Sequence, residues 1–208
     1  MVEIFWPLAA FFCGALPFSV WIGRWALGKD IRRYGDANPG ASNVLRAGGR
    51  WTAGLALLLD FLKGALPVGL AHFVAGLASW PLICVALAPV AGHAFSPFLR
   101  WRGGKAVATT GGIWCGLTLW EGPTIGGLLL GVAYTLIAID GWAVISAVAG
   151  LVLYLLLTPP SWNLWGARPA PWVIAVVGIG NLLILAWKHR ADLAQPFALR
   201  RRLRPSQP

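Results

Sequence analysis

Charge is scarce in this chain. Of 208 residues only 12% are charged, and seven are acidic. A soluble domain of this length carries about twice that charged fraction, so a large water-facing surface is excluded. Cysteine is also rare. Cys13, Cys84 and Cys115 all lie in apolar runs, at no metal-binding spacing and in an odd number, so neither a metal motif nor a full disulfide framework is expected. They read as small apolar side chains. The N-terminus lacks the basic head of a signal peptide, and its apolar run is too long for one. No long internal repeat and no low-complexity linker interrupts the sequence.

What remains is 58% hydrophobic, with 13 tryptophans and 26 glycines. Tryptophan favours the boundary between lipid and water. The expected fold is a single all-α integral-membrane domain over residues 1–208, with no sizeable soluble part. A span needs roughly 20 apolar residues. Seven are expected: Ile4–Ile22, Trp51–Leu70, His72–Val90, Ala106–Trp120, Pro123–Ile139, Trp142–Leu157 and Pro171–Trp187. Gly76–Pro81 is the softest boundary.

The net charge of +10 would suggest nucleic acid in a soluble protein. Here it describes topology, and no nucleic-acid partner is expected. With seven spans, every basic residue except Lys63 and Arg168 falls in segment 23–50, segment 91–105 or the C-terminal tail, all on one side. The positive-inside rule makes that side cytoplasmic and places the N-terminus outside. Anionic lipid head groups and anionic substrates are the expected partners. Glycine pairs at four-residue spacing, Gly112/Gly116, Gly122/Gly126 and Gly127/Gly131, read as helix packing.

Three polar segments share the cytoplasmic side. YGDANPGASNVLRAGG, residues 34–49, cannot be helical throughout. Backbone amides around Asn38, Gly40, Ser42 and Asn43 could form an anion nest, with Arg46 gripping phosphate and Arg50 nearby. The second, GHAFSPFLRWRGGKAVATTGG, joins bare backbone at Gly103 and Gly104 to Lys105, hydroxyls that include Thr109, and a helix start. That combination suits phosphate. It is not a Walker loop, because Ala106 stands where a magnesium-holding hydroxyl should, so phosphate binding without nucleotide hydrolysis is expected. His93 precedes it, and cations close in sequence favour a neutral imidazole able to act as base. The third, WKHRADLAQPFALRRRLRP, is either a basic lipid anchor or a contributor to the same site through His189 and Arg190. Within the second span, Asp60 and Lys63 share one helix face and should pair inward, as a brace or as a substrate contact.

These segments, in this order, resemble the bacterial acyl-phosphate-dependent glycerol-3-phosphate acyltransferases. GDANPGASNVLR, GHAFSPFLRWRGGKAVAT and HRADL resemble the family's three motifs, DFLKGALP is also similar, and the likeness runs from about Gly23 to Leu193. The resemblance implies a seven-span enzyme of the bacterial inner membrane with a cytoplasmic active site. Its substrates would be acyl phosphate and glycerol 3-phosphate, and its products lysophosphatidate and phosphate. It implies no cofactor, metal or acyl-carrier protein, and an acyl-phosphate-forming enzyme as partner. His93, Lys105, Arg46 and His189 are the catalytic candidates. Asn38, Gly40, Ser42, Asn43, Arg50, Lys63, Gly103, Gly104 and Thr109 are the substrate-binding candidates. The base could be His93, His189 or a substrate phosphate oxygen. The chain departs from the family at Asp36-Ala37, usually Ser-Gly, at Asp192, usually asparagine, and at Gln195, usually basic; a later glutamate is missing. A carboxylate beside a phosphate repels it. The competing readings are a transporter of a small phosphorylated anion, suggested by Asp60 and Lys63, and a degenerate homologue with altered acceptor or no turnover.

Overall fold

The computed structural model describes residues 2–200, with side chains from residue 4. Arg201, Arg202 and Arg204, which the sequence assigns to the basic tail, lie outside the described residues. Those described form helices and connecting turns, with one isolated bridge between Ile137 and Leu199 and no strand. The helices are α1 (Val2–Ala15), α2 (Phe18–Leu27), α3 (Ala41–Arg46), α4 (Arg50–Gly69), α5 (Ser79–Ala94), α6 (Val107–Thr118), α7 (Glu121–Leu136), α8 (Asp140–Leu157), α9 (Pro171–Lys188) and α10 (Arg190–Leu193).

Five stretches are long and apolar enough to cross a membrane: Ile4–Leu27, Arg50–Val74, Ser79–Leu99, Asp140–Leu157 and Pro171–Lys188. Leu8, Leu58, Leu66, Leu128, Leu153 and Leu183 are more than half exposed on the helix surfaces, as lipid-facing residues would be. The fourth and fifth expected spans coincide with α6 and α7, which are shorter. At 12 residues α6 is about 18 Å long, against a hydrocarbon core of about 30 Å. One expected boundary also moves. His72 belongs to a π-helical turn (Leu70–Val74) that extends α4, and the break comes at Gly76, where φ is +65°.

Pro17 splits the first span into α1 and α2, because proline cannot continue the backbone ladder. The carbonyls left at the break find side chains. Ser96 Oγ donates to Ala15 O at 2.6 Å, and Lys63 Nζ donates to Leu16 O at 2.9 Å. Lys63 also pairs with Asp60 Oδ1 at 2.6 Å, while Ser19 Oγ donates to Asp60 Oδ2 at 2.6 Å. The expected inward pair is therefore present, and it locks the kink to α4.

Helices α4 and α6 run parallel and nearly touch. A Cβ on Gly116 would lie 2.7 Å from Val68 Cβ and 2.8 Å from the Gly69 nitrogen, and Gly112 likewise faces Phe61 and Ala65. Gly112/Gly116 is thus a packing pair. Gly127/Gly131 is not: beyond the adjoining residues and backbone of α7 itself, no heavy atom lies within 4 Å of where either Cβ would be.

A second buried ion pair closes the opposite end. Arg168 Nε donates to Glu121 Oε2 at 2.8 Å, Asn163 Nδ2 donates to the same oxygen at 2.9 Å, and Arg168 Nη1 donates to Thr158 O at 2.9 Å. This ties the 158–168 loop to the turn between α6 and α7.

Candidate active site

The three polar segments meet at one end of the bundle. Residues 34–40 turn back on themselves, with Ala37 left-handed at φ +59°. Asn43, buried at the start of α3, holds the turn by donating through Nδ2 to Asn38 O at 2.9 Å and to Asp36 Oδ1 at 3.1 Å. The second loop crosses beside it. Arg100, Trp101 and Ala106 all take left-handed backbone, a cluster of strain in non-glycine residues that marks functional loops. The loop rests on His93: any side chain on Gly103 would strike the His93 carbonyl, and any on Gly104 would strike its imidazole.

Not every amide of this loop is free for an anion. Gly104 N donates to His93 O at 3.0 Å, and Lys105 N donates to Asn38 Oδ1 at 2.9 Å. The latter bond joins the first loop to the second. The amides that begin α6 have no acceptor within the helix, and Ala106, Val107 and Ala108 there border the cavity beneath the loop.

The third segment arrives because Gly141 leaves room for it. A Cβ on Gly141 would lie 2.5 Å from Asp192 Cβ and 3.1 Å from His189 Cβ. Lys188 Nζ donates to Ala94 O at 3.0 Å and Gly103 O at 2.8 Å, fixing the end of α9 against the loop. Lys105 Nζ then sits between two carboxylates, 3.0 Å from Asp36 Oδ2 and 3.2 Å from Asp192 Oδ2. Burial pulls the Lys105 ammonium down, but the two carboxylates outweigh it and hold its pKa above the ordinary lysine value. Burial likewise pushes Asp36 up, and the Lys105 bond overcomes this, leaving its carboxyl below the usual range. His189 is buried, and desolvation pushes it below the ordinary histidine value. Its Nδ1 lies 2.9 Å from Leu185 O. A carbonyl can only accept, so Nδ1 carries the proton and Nε2 keeps its lone pair.

Beneath this mouth a cavity of about 650 Å³ descends between α4, α6, α7 and α8. Asp36, Asn38, Gly40, Ser42, Arg46 and Lys105 border its polar end, and His93, His189 and Asp60 are also on its wall. Its shaft is apolar, lined by Leu57, Phe61, Trp114, Leu130, Val148 and Leu151 among others. A second, shallower cleft of about 370 Å³ lies across the Asn38–Lys105 ridge, bordered by Trp101, Arg102, Gly103, Trp187, Lys188 and Arg190.

Most sequence candidates gather here, though not all touch the cavity. Arg46 reaches it, with Nη1 donating to Asn43 Oδ1 at 3.0 Å and lying 3.8 Å from Asp36. Asn43 stands behind the first loop. Thr109 donates its hydroxyl to Asp60 O at 2.9 Å and serves the α4–α6 contact, while its neighbour Thr110 lines the shaft. Lys63 faces the α1–α2 kink. Arg50 is exposed at the start of α4 and off the cavity wall. Sequence reasoning missed Tyr134, Asp140 and Trp114 on the wall, and Asn181 behind it. Asn181 had a readable signal, being an asparagine in the middle of an apolar span.

A family model described as glycerol-3-phosphate acyltransferase matches residues 4–198. Glycerol-3-phosphate acyltransferase 1 of Thermotoga maritima is 36% identical over an alignment 208 residues long, gaps included, which covers 93% of this chain and 97% of that one. Glycerol-3-phosphate acyltransferase 1 of Deinococcus radiodurans is 37% identical over 186 residues, 89% of this chain and 87% of that one. Among solved structures, the glycerol 3-phosphate form of PlsY, an integral membrane glycerol 3-phosphate acyltransferase, superposes with a TM-score of 0.75 at 28% identity, covering 93% of this chain and 91% of that one. Its lysophosphatidic acid form gives 0.74. With the match spanning nearly the whole sequence and the fold shared with an integral membrane protein of that activity, the chain belongs to the glycerol-3-phosphate acyltransferase family.

Proposed function

We propose that this chain is a seven-span enzyme of the bacterial inner membrane, N-terminus outside, whose cytoplasm-facing site moves a fatty acyl group from acyl phosphate to the 1-hydroxyl of glycerol 3-phosphate. The observation that carries this reading is the junction of a polar mouth, which holds Lys105 and Arg46 among hydrogen-bonding groups, with an apolar shaft. Such a junction suits a molecule that is phosphate at one end and hydrocarbon at the other. An enzyme that makes acyl phosphate would be the upstream partner.

The acyl chain lies in the shaft and its mixed anhydride sits at the mouth. Lys105, Arg46 and the amides opening α6 face its phosphate and neutralise charge as the anhydride breaks. Glycerol 3-phosphate enters against Asn38 and Ser42. Its 1-hydroxyl oxygen bonds to the acyl carbon, the bond from that carbon to the phosphate oxygen breaks, and the electron pair leaves with phosphate. The hydroxyl proton ends on the departing phosphate. His189 Nε2, unprotonated and on the cavity wall, accepts the hydroxyl's hydrogen bond and aligns it for attack. Acyl phosphate is already activated, so positioning and charge neutralisation supply most of the acceleration. His93 supports the glycine loop from below, and the Asp60–Lys63 pair braces the helix behind it.

The purified protein, given palmitoyl phosphate and labelled glycerol 3-phosphate, tests this directly. One lysophosphatidate should form for each phosphate released. Phosphate alone would make the protein a hydrolase, and no product at all would overturn the reading.

A further inference from the structure

Gly127 and Gly131 have the spacing that usually draws two helices together, yet neither faces another helix. Gly127 borders the shaft instead, and the space its side chain would fill is empty. The shaft is a wedge. Helix α6 leads away from Lys105, the chain turns at residues 119–120, and α7 returns to Tyr134 at the mouth. The wedge closes at Gly122, where a Cβ would lie 2.8 Å from Trp114 O and 2.9 Å from Trp114 Cβ.

This floor is stiff. The fully buried Trp114 donates through Nε1 to Asn181 Oδ1 at 3.1 Å, and Asn181 Nδ2 donates to Thr110 Oγ1 at 3.0 Å. Just beyond Gly122's side of the turn, Glu121 is held by Arg168 and Asn163. A rigid floor can measure length, where a floor of flexible side chains would yield.

Along α7, Tyr134 and Gly122 are separated by about 18 Å, at about 1.5 Å per residue. Carbon–carbon bonds of about 1.5 Å advance a zigzag chain by about 1.25 Å per methylene, so this depth takes roughly fourteen carbons. Gly127 stands about 10 Å below Tyr134 on the same scale, at roughly the eighth carbon.

We propose that the shaft is an acyl-length gauge, with Trp114 and Gly122 as its floor and Gly127 as the residue whose missing side chain keeps the deep half open to chains of about fourteen to sixteen carbons. This rests on the acyltransferase reading and adds the substrate class. Leu128, the exposed neighbour of Gly127 on α7, does not line the shaft.

The test compares kcat/KM for acyl phosphates of eight to eighteen carbons, using the full chain in lipid nanodiscs with glycerol 3-phosphate as acceptor. Wild type should rise with length to about fourteen to sixteen carbons and fall at eighteen. Each buried methylene is worth about fourfold, so Gly127→Leu should lose about a hundredfold on the sixteen-carbon donor and less than about threefold on the eight-carbon one. Gly127→Ala should fall between and serves as the readout if the leucine variant does not accumulate. Equal losses at every length, or a wild type indifferent to length, would overturn the gauge while leaving the acyltransferase reading intact. A wild type that makes no lysophosphatidate from any donor would instead remove the reading beneath it.

Discussion

At the scale of single residues, the defining feature is a lysine between two carboxylates. Lys105 is countered on both sides before any substrate arrives, so a phosphate must displace or share that pairing. Asp192→Asn removes one competitor and keeps the shape. The expected outcome is a KM for glycerol 3-phosphate lowered about threefold to tenfold, with kcat little changed and a weaker salt dependence. Lys105→Ala should cut kcat at least about a hundredfold while the purified protein stays folded by circular dichroism, because it removes a charge made useful as the anhydride breaks. The pH profile reports His189. Its pKa in the folded protein lies below the ordinary value, so the imidazole is neutral above about 6.5 and gains its proton only under more acidic conditions. The acid limb that separates wild type from His189→Gln should therefore fall below about pH 6.5. The residues that gather at the mouth stood out in the sequence because glycine-rich loops with a lysine, an arginine and histidines are rare beside apolar spans. The partners of Lys105 were not: Asp36 and Asp192 are 156 positions apart along the chain, and they meet through tertiary contacts, the close approach of Gly141 to the α9–α10 corner and the bonds of Lys188 and Asn38 to the second loop.

At the scale of elements, buried polar pairs hold the kinks and turns that aim the loops. Asp60 and Lys63 sit one turn apart on α4, and their spacing alone predicted that they pair inward. What spacing could not show is that Lys63 also caps the broken end of α1. Removing one partner strands a buried charge, so Lys63→Ala should destabilise by about 3–5 kcal/mol, whereas the double replacement Asp60→Leu/Lys63→Met should cost far less. Thermal unfolding in one detergent compares them. Glycine spacing was an incomplete guide. Gly112/Gly116 joins α4 to α6, but Gly127/Gly131 looks into open space, because the same four-residue spacing marks any one face of a helix and does not say what that face meets. Helices α6 and α7 were expected as spans and are present as helices, yet each is shorter than the other long segments. Hydropathy measures how long an apolar run is and not where the chain turns within it.

At the scale of the whole molecule, the segregation of basic residues and the count of apolar runs were enough to give an all-helical membrane protein, and the motifs were enough to give its family. The shaft was not legible, since a cavity is defined by what four helices fail to fill and no local pattern encodes that. Acyl transfer at this site requires the three polar segments to gather above the shaft at one face of the membrane. The most direct measurement labels single cysteines with a membrane-impermeant reagent in sealed vesicles of known orientation, after replacing Cys13, Cys84 and Cys115. Ser42→Cys, Lys105→Cys and Arg190→Cys should all react from the cytoplasmic side, with Leu164→Cys reacting from the other. Labelling of positions 42 and 105 from opposite sides would contradict it.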